Sequence, residues 1–407
     1  MINIKNKTLC CGCEACVQRC PKHCISLVED TEGFLYPQVD VSMCVDCGFC
    51  ENVCPVINQS VERYPQAVYA SINSDSDICL SSSSGGVFSA LSEAVLSQGG
   101  VVFGVCWDKD WKLVFDYTES KDDLVRFRGS KYLQAHVGEA YIKAEQFLKL
   151  GRQVLFTGTA CQILGLKKYL RRDYDNLLLV DVICHGVPSP KVWKKYLDEQ
   201  LKLIERERGR CYHITSINFR DKSVGWKNYK FSIELKRSDG EIEYFTQSSK
   251  QNIFMRGFLF DIYLRPSCYS CPARLGKSGS DITLGDFWGI KQFKPEIDDT
   301  QGVSAVMVNT SRGAFWYNDL SLERYEMSYA DVLRYNLALV SSVDCPRQRA
   351  KFFEGDWEQS FIPLVNDLCY VSFVRRVFNK VKCILRRIYK LVIKNCSFFT
   401  TKKIFFK

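Results

Sequence analysis

Three observations predict the fold class, an α+β unit followed by a larger α/β unit and a basic helical tail. One cysteine run is written twice within residues 1–60. From residue 61 onward, strand patterns and helix patterns alternate. Residues 368–407 set Lys and Arg around an apolar stripe of helical period. The expected boundaries are therefore 1–60, 61–367 and 368–407.

With 407 residues, 46% apolar and 25% charged, the chain has the length of two or three domains and the composition of globular cores. Its 21 cysteines stand against only 4 histidines. Met1-Ile2-Asn3-Ile4-Lys5 lacks the apolar stretch of a secretory leader, and no run of about 18 apolar residues is present to span a bilayer. A cytoplasmic chain this rich in cysteine is expected to bind metal or do redox work rather than hold disulfides. The net charge of +9 is uneven: Leu368 to Lys407 holds eleven Lys or Arg and no acid, and taking 11 from 9 leaves −2 for the body. A near-neutral body argues against a nucleic-acid surface, and no nucleic-acid partner is expected.

The first unit carries Cys10-x2-Cys13-x2-Cys16-x3-Cys20-Pro21 and Cys44-x2-Cys47-x2-Cys50-x3-Cys54-Pro55. Each is the C-x2-C-x2-C-x3-C-P run of a two-cluster bacterial ferredoxin. Three thiolates on one tight loop grip three irons of a cube, and the fourth comes from the other run. Cys10, Cys13, Cys16 and Cys54 are thus expected on one [4Fe–4S] cluster, and Cys44, Cys47, Cys50 and Cys20 on a second. Pro21 and Pro55 turn the chain after the last ligand. The alternative is a pair of zinc sites, which ordinarily place a longer spacer between two CxxC pairs. Cys11 and Cys24 fall outside the runs and read as spare thiols beside the clusters. The C-x3-C-x2-C run of radical enzymes is absent.

In the second unit, Val68–Ile72 reads as a strand. Ser81 through Gly86 opens a helix that ends near Ser97, Gly99-Gly100 closes it, and Val101–Trp107 is a buried strand. A Ser-Gly loop feeding a helix start is either an anion cradle or simply a cap. No G-x-G-x-x-G occurs, and Gly276-Lys277-Ser278 has Cys271 where a P-loop needs glycine, which sets a nucleotide triphosphatase aside. The strand Val154-Leu155-Phe156 leads into Thr157-Gly158-Thr159-Ala160-Cys161-Gln162 and a helix to about Arg172. The strand Leu177–Ile183 leads into Cys184-His185-Gly186. If the two strands are parallel, Cys161 and Cys184 share the crevice at their carboxyl ends. Cys268-x2-Cys271 precedes another strand, Asp281 through Gly289. Ser223–Phe245 reads as a hairpin region turning at Ser238-Asp239-Gly240, and Thr310–Asp367 as a mixed helical closing segment.

Several stretches, taken in order, carry a resemblance. They are Ser84-Gly85-Gly86-Val87-Phe88, Arg128-Gly129-Ser130-Lys131-Tyr132, Gly158-Thr159-Ala160-Cys161-Gln162, Asp181-Val182-Ile183-Cys184-His185-Gly186, Phe219-Arg220-Asp221-Lys222 and Asp281 through Gly289. Together with the cysteine runs, over roughly residues 8–310, they make the chain resemble the family of coenzyme F420 hydrogenase/dehydrogenase beta subunits, which are iron–sulfur flavoproteins, in its branch associated with bacterial polysaccharide biosynthesis. The resemblance implies a ferredoxin-like module joined to a mixed α/β domain that binds FAD. It also implies electron traffic between the clusters, the flavin and a substrate or partner subunit.

Cys161, Cys184, Cys268 and Cys271 are expected to bind a third [4Fe–4S] cluster. The alternative is two buried small side chains and a CxxC that holds zinc or nothing. For the FAD pyrophosphate, Ser84, Gly85, Gly86, Ser130, Gly158 and Thr159 are the expected donors and Lys131 the cation, although Lys131 also reads as a surface lysine. His185 is the candidate proton donor or flavin partner, against a purely structural role. Clusters move single electrons and flavin moves one or two. The expected function is an oxidoreductase that passes electrons between the clusters and FAD to reduce or oxidise a small-molecule substrate, with a ferredoxin or dehydrogenase subunit as redox partner. The alternative is a larger complex in which the chain is a non-catalytic electron-transfer subunit. In the tail, Val374, Val377, Phe378, Val381, Ile384, Leu385, Ile388, Leu391 and Val392 line one helical face among basic residues. This tail is expected to lie peripherally on the inner face of the plasma membrane, or else to dock on protein.

Overall fold

Residues 1–60 build a small unit in which two cysteine loops each turn into a short helix. A computed structural model describes residues 1–298 and 301–370; the basic tail from 371 onward, with its expected amphipathic helix, lies outside the described residues. The two helices are α1 (Ala15–Gln18) and α2 (Phe49–Asn52), entered through left-handed residues Glu14 at φ 61° and Gly48 at φ 72°. Between them, β1 (Ile25–Glu29) and β2 (Leu35–Val39) pair as an antiparallel hairpin with Ile25 opposite Val39.

The central unit is a mixed sheet of eight strands. Six are β3 (Ala67–Asn73), β4 (Val101–Trp107), β5 (Leu113–Thr118), β6 (Val154–Thr159), β7 (Leu177–Val182) and β11 (Ile282–Asp286), and the others are β12 (Ser304–Val308) and β13 (Leu322–Glu326). Their order is β13-β3-β12-β11-β7-β6-β4-β5. β4, β6, β7 and β11 are parallel, and β12 runs antiparallel to both β11 and β3. β3 therefore shares the direction of the parallel set, and five carboxyl ends open on one edge, where α/β sheets hold ligands. β5 and β13 close the two sides as antiparallel edge strands.

Side chains alternate between the two faces of these strands. Val154, Phe156, Leu177 and Leu179 join one core beneath α5 (Ala140–Lys149) and α6 (Ala160–Leu170). Leu155, Leu178 and Val180 join another beneath α4 (Val87–Ser97) and α9 (Ser311–Asn318). Glycine caps α4 at both ends, Gly86 at φ 76° before it and Gly99 at φ 72° after it. A short helix not expected from the sequence, α3 (Ser76–Ser81), precedes the Ser-Gly loop, with Asp75 as its cap.

A second sheet, β8 (Tyr212–Asp221), β9 (Lys230–Arg237) and β10 (Ile242–Ser248), is wholly antiparallel. It packs an aromatic core of Trp193, Phe219, Phe231 and Phe254 with α7 (Pro190–Arg208), α8 (Ile253–Leu259), α11 (Arg347–Glu354) and α12 (Phe361–Leu368). The expected hairpin is present with Gly240 at φ 90° in its turn, but it starts at Lys230 because Trp226–Asn228 forms a 3-10 turn. β8 joins it as a third strand. The closing segment includes α10 (Tyr329–Leu333), yet it also supplies the edge strand β13, so it is not helical throughout. The strand expected over Asp281 through Gly289 stops at Asp286.

The first unit is not tethered at a distance. Ala15, Cys16 and Val53 share one core with Tyr141, Ile163 and Leu166. Buried Glu14 accepts from the Val137 and Gly138 amides and meets His136 Nδ1 at 2.8 Å. Gln18 accepts from the Tyr141 amide, and Arg349 forks onto Glu32. Among the described residues no helix is long and apolar enough to cross a membrane.

Candidate metal centres

The twelve expected cysteines come together as three groups of four, each ringing a hollow. The first hollow is lined by Cys10, Cys13, Cys16 and Cys54, together with Pro55. The second is lined by Cys20, Cys44, Cys47 and Cys50, with Pro21. The third, of about 680 Å³ counted to its open mouth, is lined by Cys161, Cys184, Cys268 and Cys271 at the carboxyl ends of β6 and β7, beside Thr283 of β11. Within the first unit each hollow takes three thiols from one run and the fourth from the other run. None of the cysteines among the described residues is in a disulfide.

The chemistry of the donor sets suits a polynuclear cationic group. Burial pushes up the thiol pKa of Cys184 and Cys268, that of Cys268 to about 12, with neighbouring cysteines adding to it. Cys161 is held well above the usual range, chiefly by its contact with Cys11 and then by burial. Four such thiols resist ionising together unless a cation shares the space, and coordination to metal is what removes their protons. Among the described residues no three His, Cys, Asp or Glu side chains close together as a single ion needs. Thiols spread around a hollow suit a larger inorganic core, and the residues fit a [4Fe–4S] group.

Cys11 and Cys24 have more definite places than spare thiols. Cys24 lines the second hollow with its sulfur 3.4 Å from that of Cys20. Cys11 lines both the first and the third hollow, between Cys13 and Cys161. Two arginines bind the cysteine loops, and sequence reasoning assigned neither. Arg274 donates to the Cys184 carbonyl at 2.6 Å, to the His185 carbonyl at 3.2 Å and to the Ala338 carbonyl. Arg265 donates to the Cys10 carbonyl at 2.7 Å. Their signal in the sequence is only their position, three residues before Cys268 and three after Cys271.

The expected pyrophosphate cradle is not assembled. Ser84 and Gly85 lie beyond β3, whereas Gly158 and Thr159 end β6, with β12, β11 and β7 between those strands. The Gly85 amide donates to Ser304 Oγ at 2.9 Å, the Ser130 amide to Ser83 Oγ at 2.6 Å and the Thr159 amide to Gln162 Oε1 at 3.0 Å. Ser84 Oγ is bound to the Val303 carbonyl, and Gly86 serves as the left-handed cap of α4. Lys131 is neither a surface lysine nor a waiting cation. Its ammonium donates to the carbonyls of Phe127, Arg128 and Gly129, and burial lowers its pKa to about 8. These residues as a set do not fit a FAD pyrophosphate.

The Ser-Gly loop is instead clamped by the Arg220 stretch. Arg220 forks onto Asp286 at 3.0 and 3.2 Å and donates to the Ser83 carbonyl, while Lys222 donates to the Ser84 carbonyl. His185 is outside the lining of the third hollow. Its Nε2 meets Asp261 Oδ1 at 2.6 Å, and its ring packs edge-on against Phe258.

Family models match three stretches of the chain. A 4Fe-4S dicluster domain covers residues 9–58. Residues 68–141 match the N-terminal part of the coenzyme F420 hydrogenase/dehydrogenase beta subunit, and residues 151–330 match its C-terminal part. An F(420)H(2) dehydrogenase component of Methanosarcina mazei is 26% identical over 187 residues, which is 43% of this chain and 53% of that protein. The chain thus spans about half the length of that relative. A chain in the structure of the F420-reducing [NiFe] hydrogenase complex from Methanosarcina barkeri aligns at 19% identity with a TM-score of 0.42, covering 65% of this chain and 83% of that one.

Proposed function

Because the chain belongs to the family of coenzyme F420 hydrogenase/dehydrogenase beta subunits, we propose that it is an iron–sulfur electron-transfer protein with a [4Fe–4S] cluster in each of its three thiol hollows. The observation that carries this reading is the convergence of Cys161, Cys184, Cys268 and Cys271 on one hollow, although they come from three separate stretches of the chain. When bound, such clusters take up and release single electrons. The chain's own residues do the rest. The cysteines hold the groups, Arg274 fixes the Cys184 loop, and the shared core keeps the first unit against the sheet.

The proposed activity is oxidoreduction. Electrons pass between a small molecule and a ferredoxin or dehydrogenase subunit, with surface-polysaccharide intermediates as the proposed substrate class. A flavin enters through the resemblance alone. The basic tail is proposed to hold the chain peripherally at an anionic membrane.

Anaerobic purification followed by iron and flavin analysis tests the reading. About twelve irons per chain are expected from three four-iron groups. About eight would remove the third cluster, and zinc in place of iron would overturn the whole reading. FAD released on denaturation would bring the flavin back at another site. Flotation with anionic vesicles, with and without residues 368–407, tests the tail.

A further inference from the structure

Arg265 is fully buried, between the first and third hollows. Its Nε donates to the Cys10 carbonyl at 2.7 Å, Nη1 to Gln134 Oε1 at 2.9 Å and Nη2 to the Leu35 carbonyl at 2.9 Å. Nη2 also points at the Cys10 sulfur, 3.5 Å away. The rings of Tyr36 and Phe34 flank the guanidinium, with centroids 4.4 and 5.5 Å from it. None of these partners is a carboxylate.

The same residue anchors the third hollow. The Cys268 amide donates to the Arg265 carbonyl at 2.8 Å, so the cation and a lining cysteine belong to one turn. The approach to the first unit is close: a Cβ on Gly12 would stand 2.8 Å from Arg265 Cζ. A buried cation is costly unless an anion offsets it. The anions that would offset it are the groups held by the cysteines, one through Cys10, whose sulfur the guanidinium contacts, and one through Cys268, whose amide is bound to the Arg265 carbonyl. An oxidised cluster with its four thiolates carries about −2 and gains another negative charge on reduction.

We propose that Arg265 is the shared counter-cation of the first and third hollows, raising the reduction potential of the group in each and leaving the second unaffected. A fixed positive charge favours the more negative, reduced state, and an N–H···S contact to a ligand sulfur acts in the same direction. The second hollow is an internal reference. The guanidinium bonds to Cys10, Leu35 and Gln134, none of which lines the second hollow, and that hollow opens at the surface, where Cys47 is exposed and solvent screens charge. Arg265 is thus a positioning residue acting through the cysteine ligands, an inference that rests on the proposed occupancy of the hollows.

The test is a potentiometric titration of the full holoprotein followed by electron paramagnetic resonance, with iron counted first. Cys44→Ser and Cys161→Ser variants assign the signals. In Arg265→Gln, the first and third potentials are expected to fall while the second holds. Unchanged potentials at full iron, or an equal fall in all three, overturn the proposal. If Arg265→Gln fails to fold or to load, Arg265→Met takes its place, since it also removes the charge but fills the buried space with an apolar stem. A fall of the first and third potentials with the second held supports the proposal, and unchanged potentials overturn it. A wild-type protein carrying about eight irons instead refutes the reading of the third hollow, before any variant is made.

Discussion

Gly165 on α6 faces Cys13 so closely that a Cβ at position 165 would stand 2.7 Å from the Cys13 Cβ and 3.1 Å from its sulfur. Replacing glycine by alanine inside a helix ordinarily stabilises by roughly 0.5–1 kcal/mol. Here the added methyl overpacks a buried junction, and Gly165→Ala is expected to destabilise by about 1–3 kcal/mol. The iron in the first hollow should fall with it. Urea unfolding of the holoprotein checks this, and a stabilised variant would show that the junction gives way easily.

The Arg220–Asp286 pair is a second point of leverage. Arg220 is buried, forks onto Asp286 and lies 4.0 Å from the Tyr229 ring centroid. Removing one partner of a buried pair costs about 3–5 kcal/mol, because the other charge is left stranded. Arg220→Ala should therefore unfold at markedly lower denaturant, whereas the double variant Arg220→Met with Asp286→Leu should recover part of the loss. A double variant no better than the single one would contradict this account.

Stability should also depend on pH through His136. The hydrogen bond to Glu14 raises the His136 pKa above its usual 6.5, outweighing burial, which lowers it. A group whose pKa is raised on folding contributes its stability below the unfolded value. That contribution is fully present below about pH 6.5 and is lost as pH rises through the folded pKa. Unfolding midpoints measured at pH 6 and pH 8 should therefore fall toward pH 8, and Glu14→Gln should flatten the difference. Iron content must be matched between samples.

Arg274 fastens the Cys184 loop by charged hydrogen bonds, each worth about 1.5–3 kcal/mol. Arg274→Ala should free that loop and leave its carbonyls buried without partners. The expected result is loss of the third group, seen as about four fewer irons per chain, with the signals of the first unit retained. Loss of all iron at once would mean that the three hollows load as one.

The cysteine groupings were legible because spacing within a run decides which thiols share a loop, and the two runs complement each other. Cys161 and Cys184 were legible for a related reason, since parallel strands bring their carboxyl ends to one edge. β13 was not legible: Leu322–Glu326 is a five-residue edge strand rich in charge, and it looks like a loop until β3 pairs with it. The partners of the expected flavin donors were not legible, because those such as Ser304 for Gly85 lie far along the chain. Nor was the fold-back of the long Lys131 side chain onto the three carbonyls of residues 127–129. Arg265 acquires meaning only from Cys10, 255 residues earlier.

That separation fixes the order in which synthesis supplies the parts of the two hollows. A growing chain exposes Cys10 to Cys16 long before Arg265 is made. Once the Pro266–Ser270 turn docks, the guanidinium roofs Gly12, and Cys13 and Cys16 are buried. The third hollow is likewise incomplete until Cys271 emerges, so the turn that supplies its last two cysteines is also the one that sets Arg265 against the first cysteine loop.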